Sequence, residues 1–254
     1  LLSFNRFREE VDSVIASGKG KSCLLVYTDL ENFKYFNRKY GYAAGDQLLR
    51  EFTGYIIDTL KKRNTAHFTR VVADQFILFF EEKWNNGSIE AIKRINNGFI
   101  ERQQRKYPEA KLRLRTGVYK VEKDCDGASF AIDAANYARR QIQDNSPETV
   151  CVYDKTMADL QNMENEIAIG LDKAIKNKEF KIYLQPRFSL TTGKIVGAES
   201  LVRWQREDGT ILPPDSFIPV YEKNGRIIDL DFYMFEETVK LLANWKEQGI
   251  PQRL

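Results

Sequence analysis

Two runs of strand-forming residues, 67–72 and 76–80, are separated only by the short polar interruption Ala73-Asp74-Gln75. Little besides a β-hairpin fits that spacing, and it sets Asp74 at the tip. Upstream, the apolar run Leu24-Leu25-Val26-Tyr27 ends at Asp29-Leu30-Glu31, which puts a second carboxylate at the end of another buried strand. Joined in one sheet, the two acids would face one cation.

The surrounding pattern alternates helices with strands. Helices are predicted over 2–16, 33–40, 46–61, 88–105 and 129–141, strands over 23–28 and 112–120, the hairpin over 65–80 and a closing strand over 150–153. This is an α/β arrangement, a sheet packed with helices. From 155 to 178, Met157, Leu160, Met163, Ile167 and Leu171 recur at near-helical spacing, a packing stripe on a connecting helix that would couple two parts of the chain. Beyond it, Phe180, Ile182 and Leu184 alternate as in a strand, and Gly193-Lys194 turns the chain into a second strand over 195–201. No internal repeat or low-complexity segment is visible.

With 254 residues, 43% of them hydrophobic, the chain can bury a sizeable core. No apolar run reaches membrane-spanning length and no signal peptide is visible, so the piece reads as cytoplasmic, with an upstream membrane or sensor region left open. A formal net charge of +3 on 30% charged residues gives no concentrated basic face for nucleic acid. Clusters such as 61–63 and 102–106 read as solvated helix faces. Cys23, Cys125 and Cys151 are odd in number and widely spaced, as in reduced proteins without a zinc site. His67, the single histidine, reads as a strand-packing residue.

Asp29, Phe33, Lys34, Asn37, Gly41, Gly45, Asp46, Leu48, Arg70, Asp74 and Phe76 fall in the order and spacing of the GGDEF domain, and the first three fifths of the chain resembles that family of cyclic di-GMP signalling proteins. Where the family has Arg-x-Gly-Gly-Asp/Glu-Glu-Phe, this chain has Val72 and Ala73 for the glycines and Gln75 for the second acid. Val72 resists positive φ and adds bulk where a phosphate would approach. Phosphoryl transfer depends mainly on positioning and charge stabilisation, so these losses predict a unit that makes no cyclic di-GMP. The resemblance implies that Asn37 and Asp46 read the guanine edge. It also implies that Asp29, the Leu30 carbonyl and Asp74 form a hard oxygen set for Mg2+. A plainer reading has Asn37 capping a turn and Asp46 capping a helix that begins at Gln47.

The family's Asp-x-Ala-Leu-Tyr-x-Ala-Lys helix aligns with Asp133 to Arg140, so Arg140 stands for the phosphate-binding Lys, with its charge kept and its geometry changed. Arg139 and Arg140 otherwise read as a solvated helix face. A later family Arg aligns with Asp144, whose charge would repel a triphosphate. The product-inhibition Arg-x-x-Asp appears as Arg63-Asn-Thr-Ala66, without its acid.

The second half carries Glu199-Ser-Leu-Val-Arg203, preceded by Gln185-Pro186 and followed by Phe217-Ile-Pro219 and Glu222, and it resembles the start of an EAL phosphodiesterase domain. The resemblance implies that Glu199 binds a divalent ion, Mg2+ or Mn2+, that Arg203 holds a substrate phosphate, and that Gln185 and Leu201 line the cyclic di-GMP pocket. Alternatively, Glu199 and Arg203 simply pair across a strand face. An (α/β)8 barrel takes about 250 residues, so the part from 166 to 254 reads as its incomplete start and the chain as a fragment. The expected layout is a degenerate GGDEF domain over 1–154, a connecting helical segment over 155–165 and an EAL portion over 166–254. The leading expectation is a regulatory GGDEF domain, sensing GTP, on an EAL phosphodiesterase. The alternative is an inactive scaffold whose GGDEF sheet mediates homodimerisation or partner binding.

Overall fold

The computed structural model describes residues 2–18, 23–60, 66–81, 87–144 and 146–250 of the chain. It divides into two compact units, Leu1–Ala158 and Asp159–Leu254. The basic cluster at 61–63 and the first three residues of the 63–66 motif lie outside the described residues.

In the first unit, β1 (Leu24–Glu31) is the middle of five strands. Its neighbours are β3 (Gln75–Phe80) and β4 (Arg113–Lys120), both antiparallel to it; β2 (Ala66–Val72) and the short β5 (Val150–Val152) form the edges, and β5 runs parallel to β4. Leu24, Leu25, Val26 and Tyr27 are all buried because helices cover both faces, which explains a continuous apolar run where a one-sided strand would alternate. Leu24, Val26 and Leu30 pack with Phe36 of α2 (Phe33–Tyr40), Leu48 and Phe52 of α3 (Tyr42–Leu60) and Phe99 of α4 (Gly87–Lys106). Leu25 and Tyr27 face the other layer, with Phe7 and Val11 of α1 (Phe4–Ala16) and Ala128, Ala131 and Ala135 of α5 (Gly127–Arg140). Gly117 lets α5 approach the sheet closely. A Cβ there would lie 1.8 Å from the Ala135 carbonyl oxygen and 2.4 Å from the Arg139 nitrogen.

Two local expectations change. Helix α3 starts at Tyr42, so Asp46 lies one turn inside it and does not cap its start. The hairpin turn is Ala73-Asp74, with Val72 opposite Gln75 after a bulge between Arg70 and Val72. Positive φ therefore falls on Ala73, at +45°, while Val72 only adds bulk, 59% exposed.

The second unit takes most of α6 (Lys155–Lys176), one helix where the connecting segment was expected. Its Ile167, Leu171 and Ala174 pack with Phe180, Trp204, Phe217, Tyr221 and Leu230. Strands β6 (Phe180–Phe188) and β7 (Ile195–Gln205) form a long antiparallel ribbon, and β8 (Ile211–Leu212) adds to β7. Helices α7 (Pro214–Asn224) and α8 (Ile227–Glu247) follow. The Tyr221 hydroxyl donates to the Ile167 carbonyl at 3.1 Å, and Trp204 Nε1 donates to Glu179 at 2.8 Å, so the large polar aromatics of this core are satisfied. Among the described residues these strands make an open three-stranded sheet.

Candidate functional sites

The hairpin tip and the end of β1 are held together through the backbone: the Leu30 N–H donates to the Asp74 carbonyl at 3.2 Å. Arg70 braces the turn, donating from Nε to the Ala73 carbonyl at 2.6 Å with its guanidinium 6.0 Å from the Phe76 ring centre. The Asp74 carboxylate is near enough to raise the electrostatic cost of charging Asp29. Burial pushes both carboxyls above the ordinary aspartate range, and Arg139 pulls both the other way.

Arg139 is the residue that sequence reasoning misplaced. It is not on a solvated face; its side chain is 12% exposed and pairs through Nη1 with Asp29 Oδ2. Nε donates to Asn136 at 3.0 Å, and the guanidinium lies 5.5 Å from the Tyr27 ring centre. A signal was present: 128, 131, 135 and 139 continue one helical stripe whose first three members are buried alanines. Arg140 does lie on the exposed side, against Tyr137. Gln75, at the lost acid's position, accepts from the Tyr27 hydroxyl at 2.7 Å. Asp144 pairs with Arg115, which also forks onto Glu31 at 2.8 and 2.5 Å, so its negative charge has a partner.

The guanine-reading candidates come from the opposite layer. Asn37 sits on α2 with its Oδ1 buried and, among the described residues, unpartnered, 1.8 Å from where a Cβ on Gly45 would stand. A side chain at 45 would displace the Asn37 amide from this position. Asp46 is exposed on α3. His67 lies on β2, its Nε2 3.1 Å from Glu81. None of the three cysteines is in a disulfide, and burial pushes the Cys23 thiol up to about 11.

On the ribbon of the second unit, period-two alternation sorts the signature by face. Glu199, Leu201 and Arg203 share one face of β7, and Gln185 stands directly opposite Glu199, as Tyr183 does opposite Leu201. All four expected ligand residues are thus gathered on one surface. Glu199 is exposed, and among the described residues no ion pair joins it to Arg203. Arg203 instead lies 5.7 Å from the Tyr183 ring centre and donates to the Val202 carbonyl at 2.7 Å. Ser200, where the signature has Ala, points to the other face, 3.2 Å from the Thr238 hydroxyl of α8. The Thr238 hydroxyl is engaged with the Met234 carbonyl, so Ser200 is the donor.

The family model for the diguanylate cyclase GGDEF domain matches residues 2–147, more than half of the chain. The chain belongs to the GGDEF family. An EAL domain model matches residues 170–254. The cyclic di-GMP phosphodiesterase PdeR of Escherichia coli K12 is 26% identical over 98% of this chain and 37% of its own length. The bifunctional diguanylate cyclase/cyclic di-GMP phosphodiesterase MucR of Pseudomonas aeruginosa is 21% identical over 89% of this chain and 33% of its own. The chain spans about a third of the length of these curated relatives. Among solved structures, the S helix-GGDEF-EAL portion of Vibrio cholerae LapD, bound to cyclic di-GMP, matches with a TM-score of 0.53 at 17% identity, over 96% of this chain and 57% of that one. The GGDEF domain of Caulobacter crescentus DgcB, in complex with cyclic di-GMP, gives 0.51 at 17% identity, over 60% of this chain and 91% of that one. At such identity the likeness is one of fold. No helix of the described residues is long and apolar enough to cross a membrane.

Proposed function

We propose that this chain is the GGDEF-EAL portion of a cyclic di-GMP phosphodiesterase in which the GGDEF unit regulates and does not synthesise. The observation that carries the reading is the shared ribbon face with Gln185, Glu199, Leu201 and Arg203. Arg203 offers planar paired donors to a phosphodiester, and Gln185 and Leu201 border the bound nucleotide. Glu199 is a suitable hard-oxygen ligand for Mg2+ or Mn2+, with further carboxylates required from other strand ends of a barrel. Such an ion, when bound, supplies a Lewis acid and an activated water. The activity named for PdeR supports the same assignment.

In the GGDEF unit the glycine cradle is gone, Gln75 is neutral and tied to Tyr27, and Val72 projects at the turn. Positioning and charge stabilisation, on which phosphoryl transfer depends, are both reduced. The guanine-reading pair Asn37 and Asp46 remains, with Arg140 exposed for a phosphate, and this makes the unit a GTP sensor. The unpartnered buried oxygen of Asn37 supports that role, since such acceptors rarely go unsatisfied.

Hydrolysis tests the phosphodiesterase reading. A protein carrying this segment with a whole barrel should linearise cyclic di-GMP in Mg2+ or Mn2+, and Glu199→Gln should abolish turnover. Equal turnover after that change would remove Glu199 from the site.

A further inference from the structure

The first unit supplies a cation of its own where the family's divalent ion would sit. We infer that Arg139 is a fixed counter-ion to the Asp29 carboxylate and that it closes this site to metal. The guanidinium is held on three sides, by Asp29 Oδ2, Asn136 Oδ1 and the Tyr27 ring, and the side chain is largely buried. Tyr27 is fixed in turn by its hydrogen bond to Gln75. Gly117 is what brings α5 near enough to the sheet for Arg139 to reach.

The donor set left for a metal does not fit. One Asp29 oxygen is already occupied by Arg139, and the other is sealed from solvent. Mg2+ demands near-octahedral coordination and keeps several waters, so it needs open space as well as charge. The third acid has become Gln75, a neutral amide already accepting from Tyr27. A dication brought beside a buried guanidinium would meet strong repulsion with little water to screen it. The aligned family helix has Ala where this chain has Arg139, so loss of the hairpin acid and gain of an internal cation occur together. The inference stands apart from the phosphodiesterase reading. Its consequence is that any nucleotide taken by the GGDEF unit binds without Mg2+.

Mn2+ titration followed by electron paramagnetic resonance tests it, with Glu199→Gln as the background so that the EAL face contributes no signal. The Arg139 protein should bind no Mn2+ up to about 1 mM, the weak end of carboxylate sites. Arg139→Ala should gain one site, at least about tenfold tighter, which further substitution by Asp74→Asn removes. If Arg139→Ala does not fold, Arg139→Gln takes its place, keeping much of the bulk without the charge. Mn2+ bound by the Arg139 protein and lost with Asp74→Asn would overturn the inference. So would a folded Arg139→Ala or Arg139→Gln protein that binds no more Mn2+ than its parent.

Discussion

The turn between β2 and β3 and the ribbon of β6 and β7 are both antiparallel hairpins carrying a nucleotide-handling signature, and both signatures are altered. In the first, the changes fall at the proposed nucleotide site: Ala73 takes the left-handed turn position, Gln75 stands where the family has an acid, and Asp29 is paired with Arg139. In the second, the single change, Ser200, falls on the face turned toward α8, while the residues proposed to bind ligand, Gln185, Glu199, Leu201 and Arg203, share the other face. The number of altered letters therefore says less than the side of the strand on which they lie. A strand signature must be scored face by face.

The largest effect that could break this comparison lies on the ribbon. In a phosphodiesterase containing this segment, Glu199→Gln should lower cyclic di-GMP hydrolysis by at least about a hundredfold, because an amide is a poor substitute for an anionic metal ligand. Ser200→Ala, one residue away, should change it by less than about twofold, since only a hydrogen bond to Thr238 is lost. Similar losses from both would dissolve the distinction between faces.

Within the GGDEF unit, Arg139→Ala should leave a largely buried Asp29 without its partner and cost about 3 kcal/mol in denaturant unfolding of that unit. A cost below about 1 kcal/mol would mean that the pair behaves like an exposed one. Asp46→Ala should remove a GTP-over-ATP preference of about tenfold in calorimetry performed in EDTA, because adenine carries an amino donor where guanine carries a carbonyl. Equal binding of the two nucleotides by the unaltered chain would leave this unit as a partner-binding module. The smallest effect is at the turn. Ala73→Gly should stabilise the hairpin by about 1 kcal/mol, since glycine adopts the +45° φ without penalty. A loss of stability in thermal unfolding would indicate that the turn does not require this conformation.

Part of this was legible in the sequence for a simple reason: period-two alternation places Glu199 and Leu201 on one side of the strand expected over 195–201, and β7 runs on to Gln205, which brings Arg203 onto the same side. That Gln185 faces Glu199 depends on pairing register, which the 189–194 turn and the bulge at Arg187/Phe188 set together, and alternation within one strand does not specify it. The hairpin at Asp74 and the buried β1 were visible from composition. The inward side of α5 was legible too, from the stripe of 128, 131, 135 and 139, but the pairing of Arg139 with Asp29 was not, because it depends on the close approach that Gly117 of another element allows. The start of α3 was missed because Gly41 was expected in a longer connection; it serves instead as the C-cap of α2, and the next helix begins immediately after it.

The most direct test is a two-substrate assay on a protein containing this segment and a complete barrel. It would be supplied in turn with GTP and with cyclic di-GMP in Mg2+ or Mn2+, and products would be separated by chromatography. The proposed division of labour predicts linear dinucleotide from cyclic di-GMP and no cyclic di-GMP from GTP. Cyclic di-GMP accumulating from GTP, or persisting unhydrolysed when supplied, would contradict it.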